Sequence, residues 1–262
     1  MKETIAYKHS GNCGDLLYSL SAIKQRWHDT DCKADIYLHL NQPSTFTDAT
    51  HPVGNVMLNQ KMYDMVRPLL LEQEYINSVE VYDNQEIDYN LDLFRLECKN
   101  LSAGDIKLWH TIPYPELRCS TYAQVLWVDK PEVAEKYVVI NRSSRYNNPL
   151  IDYTQIAEIG MKMYFVGVER EYEVMRAICP EVEYCPVKDF KEMAQLIAGA
   201  EYFFGNQSMA FAIAEQMKVK RVLEQYYGCP NVIPNGGEWY TYQTNEQLNR
   251  IILTIKEKCR KK

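Results

Sequence analysis

Between residues 137 and 225, short apolar runs alternate with stretches whose apolar positions recur every three or four residues. YVVIN (137–141), KMYFVGV (162–168), VEYCPV (182–187), EYFFGN (201–206) and VKRVLEQ (219–225) read as strands. Short runs rich in β-branched and aromatic residues, bounded by turn signals, favour an extended and buried backbone. The segments between them, 152–160, EREYEVMRAI (169–178), DFKEMAQLIAGA (189–200) and SMAFAIAEQM (208–217), carry helical spacing. Asp189 and Ser208 are placed as N-caps. Such alternation with short connections predicts a parallel sheet covered by helices.

The N-terminal half opens the same way, with a strand at 3–8, a helix at 15–28 and a strand at 34–40. A helix over 55–73, a strand over 78–83 and a helix over CSTYAQVLWV (119–128) are expected next, while 84–135 otherwise shows only a loose pattern rich in Asp, Asn and Pro. A terminal helix is expected over 244–262. The predicted class is α/β, with two Rossmann-like domains facing a cleft. The N-terminal domain takes residues 1–130 and the C-terminal domain 136–243, with 244–262 as a closing helix. Open parallel sheets bind ligands beyond the carboxyl ends of their strands, so the cleft is the expected site.

Composition narrows the function classes. No apolar run approaches the roughly 20 residues that cross a bilayer, and MKETIAYKHS lacks the apolar core of a signal peptide. The expectation is a soluble, cytoplasmic protein without a membrane span. The 8 cysteines form no C-x-x-C pair, so free thiols are expected rather than structural zinc. A net charge of −6 argues against a broad nucleic-acid surface. The basic end KEKCRKK suits a solvated helix terminus.

Four loops carry candidate chemistry. In HSGNCGD (9–15) a strand gives way to small residues, then to Asp15 and a helix. His9, Gly11, Asn12 and Gly14 would shape an anion- or ligand-binding turn, with backbone N–H groups exposed at the helix start, and His9 either serves a phosphate or Asp15 there or merely packs. Asp15 is either a capping acid or a general base that orients an acceptor hydroxyl. Cys13 in the same loop lacks an identifiable histidine partner for thiol catalysis. INRSSRYNNPL (140–150) offers Arg142, Ser143 and Arg145, and guanidinium forks suit phosphate oxygens. GNQS (205–208) precedes a helix and could present N–H groups through Asn206, Gln207 and Ser208. Glu169, just after a strand that closes at Gly167, is either a ribose acceptor or a first-turn acid matching the helix dipole. The D-x-D triplet Asp29-Thr30-Asp31 follows a helix and reads as a solvated turn rather than a metal motif.

GNCGDLLYSLSAIKQ resembles the start of family 9 glycosyltransferases, the heptosyltransferase-like enzymes. VVINRSSRYNNPL, MKMYFVGVEREYEVMRAI and DFKEMAQLIAGAEYFFGNQSMAFAIAEQMKVKRV are similar to further family segments, in family order. The resemblance covers most of 3–28 and 137–225 and implies a GT-B fold. It implies metal-independent transfer of a sugar from a nucleotide-sugar co-substrate to an acceptor hydroxyl, with no other cofactor. Asp15 then falls on the base, and the His9–Gly14 loop lies on the acceptor side. Arg142, Ser143 and Arg145 fall on the donor loop, Glu169 on the ribose acid, and Asn206, Gln207 and Ser208 on the phosphate turn. Three positions depart from the family: Gln207 replaces an acid, Met209 a glycine and Ala212 a histidine. The departures keep two alternatives open, a non-catalytic nucleotide-sugar binding protein and a nucleotide-sugar 2-epimerase-like enzyme. The sugar, the nucleotide base and the acceptor are not specified by sequence.

Overall fold

The computed structural model describes residues 2–44, 54–98, 101 and 103–260. Strand β1 (Thr4–His9) leads into helix α1 (Cys13–Thr30), then β2 (Lys33–Leu38), α2 (Gln60–Leu71) and β3 (Ile76–Val81). A short β4 (Tyr89–Asn90) and the single-turn helices α3 (Phe94–Glu97) and α4 (Ile106–Trp109) complete the first half. Among the described residues this half holds a four-stranded sheet in the order β3-β2-β1-β4, with every pairing parallel.

The second half runs β5 (Tyr137–Asn141), a 3-10 helix (Tyr153–Ile159), β6 (Lys162–Phe165), α5 (Glu169–Ile178), β7 (Glu183–Tyr184) and α6 (Phe190–Gly199). It continues with β8 (Tyr202–Asn206), α7 (Met209–Met217), β9 (Arg221–Glu224), β10 (Trp239–Tyr242) and α8 (Asn245–Arg260). Its parallel sheet has the order β10-β9-β8-β5-β6-β7. Side chains of β5 and β8 are buried throughout, as expected where helices cover both faces of a sheet.

Among the described residues, one of two hydrophobic clusters joins the two sheets, and the other lies wholly in the second half. Leu16, Leu17 and Leu20 of α1 pack in the same cluster as Phe211 and Ile213 of α7, with Leu70 and Tyr75 beside them. Gln216 on α7 donates to the Leu17 carbonyl at 2.6 Å and to Ser21 Oγ at 3.0 Å. A buried ionic knot closes the same face. Glu215 accepts from Lys107 Nζ at 2.8 Å, Lys218 Nζ at 2.7 Å and Arg221 Nε at 2.6 Å. Burial pushes the Glu215 carboxyl upward, but Arg221, Lys107 and Lys218 outweigh it and hold it below the usual range. Because Lys107 comes from α4 and Glu215 from α7, the pair ties the first half to the second.

The helix expected over 119–128 does not form. Tyr122, Val125 and Leu126 imitate helical spacing, but the segment is an irregular strap whose backbone groups are spent elsewhere. Val125 N–H and Leu126 N–H both donate to the Gln216 carbonyl, at 2.8 and 3.1 Å. Trp127 N–H donates to Gln73 Oε1 at 2.9 Å. The helix expected from residue 55 starts at Gln60, where the Asn59 side chain caps Met62 N–H at 3.0 Å. The terminal helix extends to Arg260, and the last two residues of the basic tail lie outside the described residues.

Candidate functional site

A cavity of about 1230 Å³ lies between the two halves. It is lined by the loop ends after β1, β5, β6 and β8, the carboxyl-end positions that parallel sheets offer to ligands. The starts of α1 and α7 meet there. A Cβ on Gly14 would sit 3.7 Å from Met209 Cα, so the two helix N-termini are in van der Waals reach.

Asp15 lies in the first turn of α1 and lines the cavity, together with Asn12, Cys13 and Gly14. Its Oδ2 accepts from Arg95 Nη2 at 2.9 Å. The other guanidinium nitrogen, Nη1, reaches Asp92 Oδ1 at 2.6 Å. Asp92 in turn accepts from Ser10 N–H at 2.9 Å and Ser10 Oγ at 2.6 Å, and Lys8 Nζ stands 3.5 Å away. Burial raises the Asp92 carboxyl, yet the Ser10 donors and Arg95 keep it below its usual range. A carboxylate thus holds an arginine, and the arginine holds Asp15.

His9 does not face a ligand. It is fully buried under the loop, its Nδ1 accepts from Gly11 N–H at 2.9 Å, and burial lowers its pKa to about 4. Gly11 is also behind the cavity wall. At φ +97° a Cβ would approach Leu58 Cβ to 2.9 Å, so glycine lets the loop press onto the 57–58 segment. The Cys13 thiol is pushed up to about 12 by burial, which removes it as a thiolate nucleophile.

On the opposite wall, Ser143, Ser144, Arg145 and Tyr146 line the cavity. Asn206 builds this loop from beneath. Its Oδ1 accepts from Ser143 N–H at 3.0 Å, and its Nδ2 donates to the carbonyls of Ser143 and Arg145 at 2.9 and 2.6 Å. Arg142 departs from the expectation of phosphate contact. It turns into the protein and makes a two-pronged pair with buried Glu224, at 2.8 and 3.0 Å, with its guanidinium 4.6 Å from the Tyr153 ring. A guanidinium saturated by a buried carboxylate has no fork left for a phosphate.

Ser208 caps α7 by accepting from Phe211 N–H at 3.3 Å and lines the cavity. Gln207 also lines it, but its amide is consumed by the 226–231 loop. Nε2 donates to the Cys229 carbonyl and Asn231 Oδ1 at 2.8 and 2.9 Å, and Oε1 accepts from Tyr226 N–H at 2.8 Å. Asn206 and Gln207 therefore shape the site rather than face into it with free polar ends. Glu169 lines the cavity at the start of α5. Glu171 lines it as well and accepts from Ser144 N–H at 2.8 Å, while burial raises its carboxyl.

Arg95, Asp92 and Glu171 escaped the sequence reading. Arg95 and Asp92 pair locally, but the contacts that bring them and Glu171 to the site, with Asp15, Ser10 and Ser144, lie far along the chain, and α3 is a single turn too short for a periodic signal. Asp29-Thr30-Asp31 lies at the α1 C-terminus, where Asp29 pairs with Arg118 at 2.6 Å, outside the cavity. Among the described residues, no three His, Cys, Asp or Glu side chains group as a metal would need, and no helix is long and apolar enough to cross a membrane.

No protein-family profile matches the chain, and no curated protein matches it by sequence. Solved structures do match its fold. Against the dodecameric iron-containing heptosyltransferase TibC in complex with ADP-D-β-D-heptose, the TM-score is 0.63 at 15% identity, covering 100% of this chain and 80% of TibC. Against the E. coli heptosyltransferase WaaC with ADP, it is 0.56 at 11% identity, covering 97% and 98%. A family 9 glycosyltransferase from Veillonella parvula gives 0.56 at 10% identity, covering 98% and 99%. Two parallel sheets that face one cavity, with loops from both at its walls, give this chain the heptosyltransferase-like GT-B fold of family 9 glycosyltransferases.

Proposed function

We propose that the protein is a glycosyltransferase that moves a sugar from a nucleoside-diphosphate-sugar to an acceptor hydroxyl. The observation that carries the reading is that Asp15, the serine-rich 143–145 loop and the capped start of α7 line one cavity. The donor diphosphate is assigned to the wall formed by the 143–145 loop and α7, where Arg145 and the first N–H groups of α7 supply donors, while Ser143 and Ser144, held by Asn206 and Glu171, fix the loop. Glu169 and Glu171 suit the ribose hydroxyls, since ionised carboxylates only accept hydrogen bonds.

In the transfer, the acceptor oxygen forms a bond to the anomeric carbon as the bond from that carbon to the diphosphate oxygen breaks. Asp15 takes the hydroxyl proton, and the electron pair leaves with the nucleoside diphosphate. Arg145 and the helix start offset the charge that develops on the leaving group. No metal has a role in this reading. Its donor class follows from likeness to proteins whose structures hold ADP or ADP-heptose, so ADP-sugars are the first donors to test.

The spent amide of Gln207 favours one second reading, a nucleotide-sugar binding protein without turnover. A thermal-shift series with ADP-, UDP-, GDP- and CMP-sugars, followed by assay of nucleotide release with an acceptor pool, separates the two. Ligand binding raises Tm by mass action. A Tm rise with nucleotide release supports transfer, a Tm rise without release supports the binding protein, and no response to any sugar nucleotide overturns both.

A further inference from the structure

We infer that the acceptor is an uncharged alcohol carried on an apolar body, rather than an anionic sugar. The inference rests on the glycosyltransferase reading and names the class of its second substrate. At about 1230 Å³ the cavity exceeds the roughly 300–1,000 Å³ of a typical single-ligand pocket, which leaves room beside a donor. Its first-half wall, next to Asp15, is built from Met57, Met62, Met65, Phe94, Ile106 and Trp109. Met62 and Met65 sit one turn apart on α2, and both stay half-buried at the cavity. Flexible thioethers adapt to irregular apolar shapes.

The charges on this wall cancel. Arg95 is held by Asp15 at 2.9 Å and by Asp92 at 2.6 Å, and Lys8 also faces Asp92. Lys61 and Asp64 line the wall as an opposite-sign couple one turn apart on α2. An incoming phosphate or carboxylate on this side meets Lys61 only beside Asp64, and to engage Arg95 it would have to strip that guanidinium from two carboxylates. That exchange leaves Asp92, half-buried beneath the loop, with the Ser10 donors and Lys8 at 3.5 Å but without its shortest ionic partner, and breaking a partly buried pair is costly. An apolar body instead covers the methionines and rings and gains by displacing water.

The test is calorimetric titration of the full chain with 1-octanol and, separately, with glucose 6-phosphate, in wild type and in Met65→Asp. Octanol is expected to bind saturably in wild type, at least about tenfold more weakly in Met65→Asp, with glucose 6-phosphate giving no saturable heat. Circular dichroism melting checks that the variant folds, and Met65→Gln replaces it if it does not. Binding of glucose 6-phosphate in preference to octanol overturns the inference, as does octanol binding indifferent to position 65. Titration with ADP-glucose on the same samples reports the donor site separately. Loss of octanol selectivity with donor binding retained contradicts only the acceptor class, whereas absence of binding by every sugar nucleotide contradicts the underlying reading.

Discussion

Arg95 Nη2 donates to Asp15 Oδ2 at 2.9 Å while its Nη1 holds Asp92 Oδ1 at 2.6 Å. The carboxylate assigned to take the acceptor proton is thus oriented by an arginine that is itself fixed by a second carboxylate. In this arrangement Arg95 is a positioning residue. Arg95→Met should lower kcat by about tenfold, equivalent to about 1.4 kcal/mol of barrier, with donor affinity changed by less than about twofold. Arg95→Lys should recover part of the loss, because one of the two contacts can be remade. Steady-state kinetics with separate donor titration check this, and equal losses in kcat and donor binding would place Arg95 elsewhere in the mechanism.

Arg142 supplies a contrasting case. Its pairing with fully buried Glu224 predicts a role in stability rather than donor affinity. Arg142→Met leaves a buried carboxylate without its cation, a loss of about 3–5 kcal/mol in comparable pairs. The double variant Arg142→Met with Glu224→Gln should regain part of it. Chemical denaturation measures the effect, and a variant that loses donor affinity at unchanged stability would restore Arg142 to the phosphate site.

Asn206 should act on the donor through the 143–145 loop. Its four bonds to that loop are lost in Asn206→Ala, which releases the Ser143 and Arg145 backbone. Donor affinity is expected to fall by roughly tenfold, while the reverse-side variant Met65→Asp leaves it in place. Calorimetric donor titration of both variants distinguishes the walls.

Acid should loosen the fold through His9. Its folded pKa of about 4 lies below the unfolded value of about 6.5. The unfolded chain therefore binds more protons between those values, and stability falls as pH drops through that window. Lys8, Asp15, Asp92, Arg95 and His110 surround it, and burial lowers His110 in the same direction. From pH 7 to 5 the His9 contribution is roughly 2 kcal/mol. Urea unfolding at both pH values measures it, and His9→Asn should flatten the slope.

Local pattern revealed part of this account. YVVIN and EREYEVMRAI match β5 and α5 at both ends, because a continuous apolar run and a 3.6-residue period each specify their element without outside help. The Asp15, Ser143 and Ser208 loops were visible for a related reason, since small residues directly after a strand mark a turn at the sheet's carboxyl edge. Arg95 gave no signal. Its meaning comes from Asp15, 80 residues away, and from a chain path through 84–93 that no periodicity describes. The strap at 119–128 misled for the opposite reason, because a convincing apolar spacing is overruled by Gln216 and Gln73, which take its backbone N–H groups. Arg142 looked like a phosphate ligand because Glu224, its partner 82 residues on, is recognisable only when β5 and β9 are set in one sheet.

In the proposed reaction Asp15 takes the proton of an acceptor hydroxyl in the cavity it shares with the nucleotide-sugar site. The most direct measurement is transfer by Asp15→Asn with the sugar nucleotide that stabilises the wild type. Removal of a general base predicts turnover reduced by about 10²–10⁴-fold, with that donor still bound at close to wild-type affinity. Undiminished transfer by Asp15→Asn would contradict the claim.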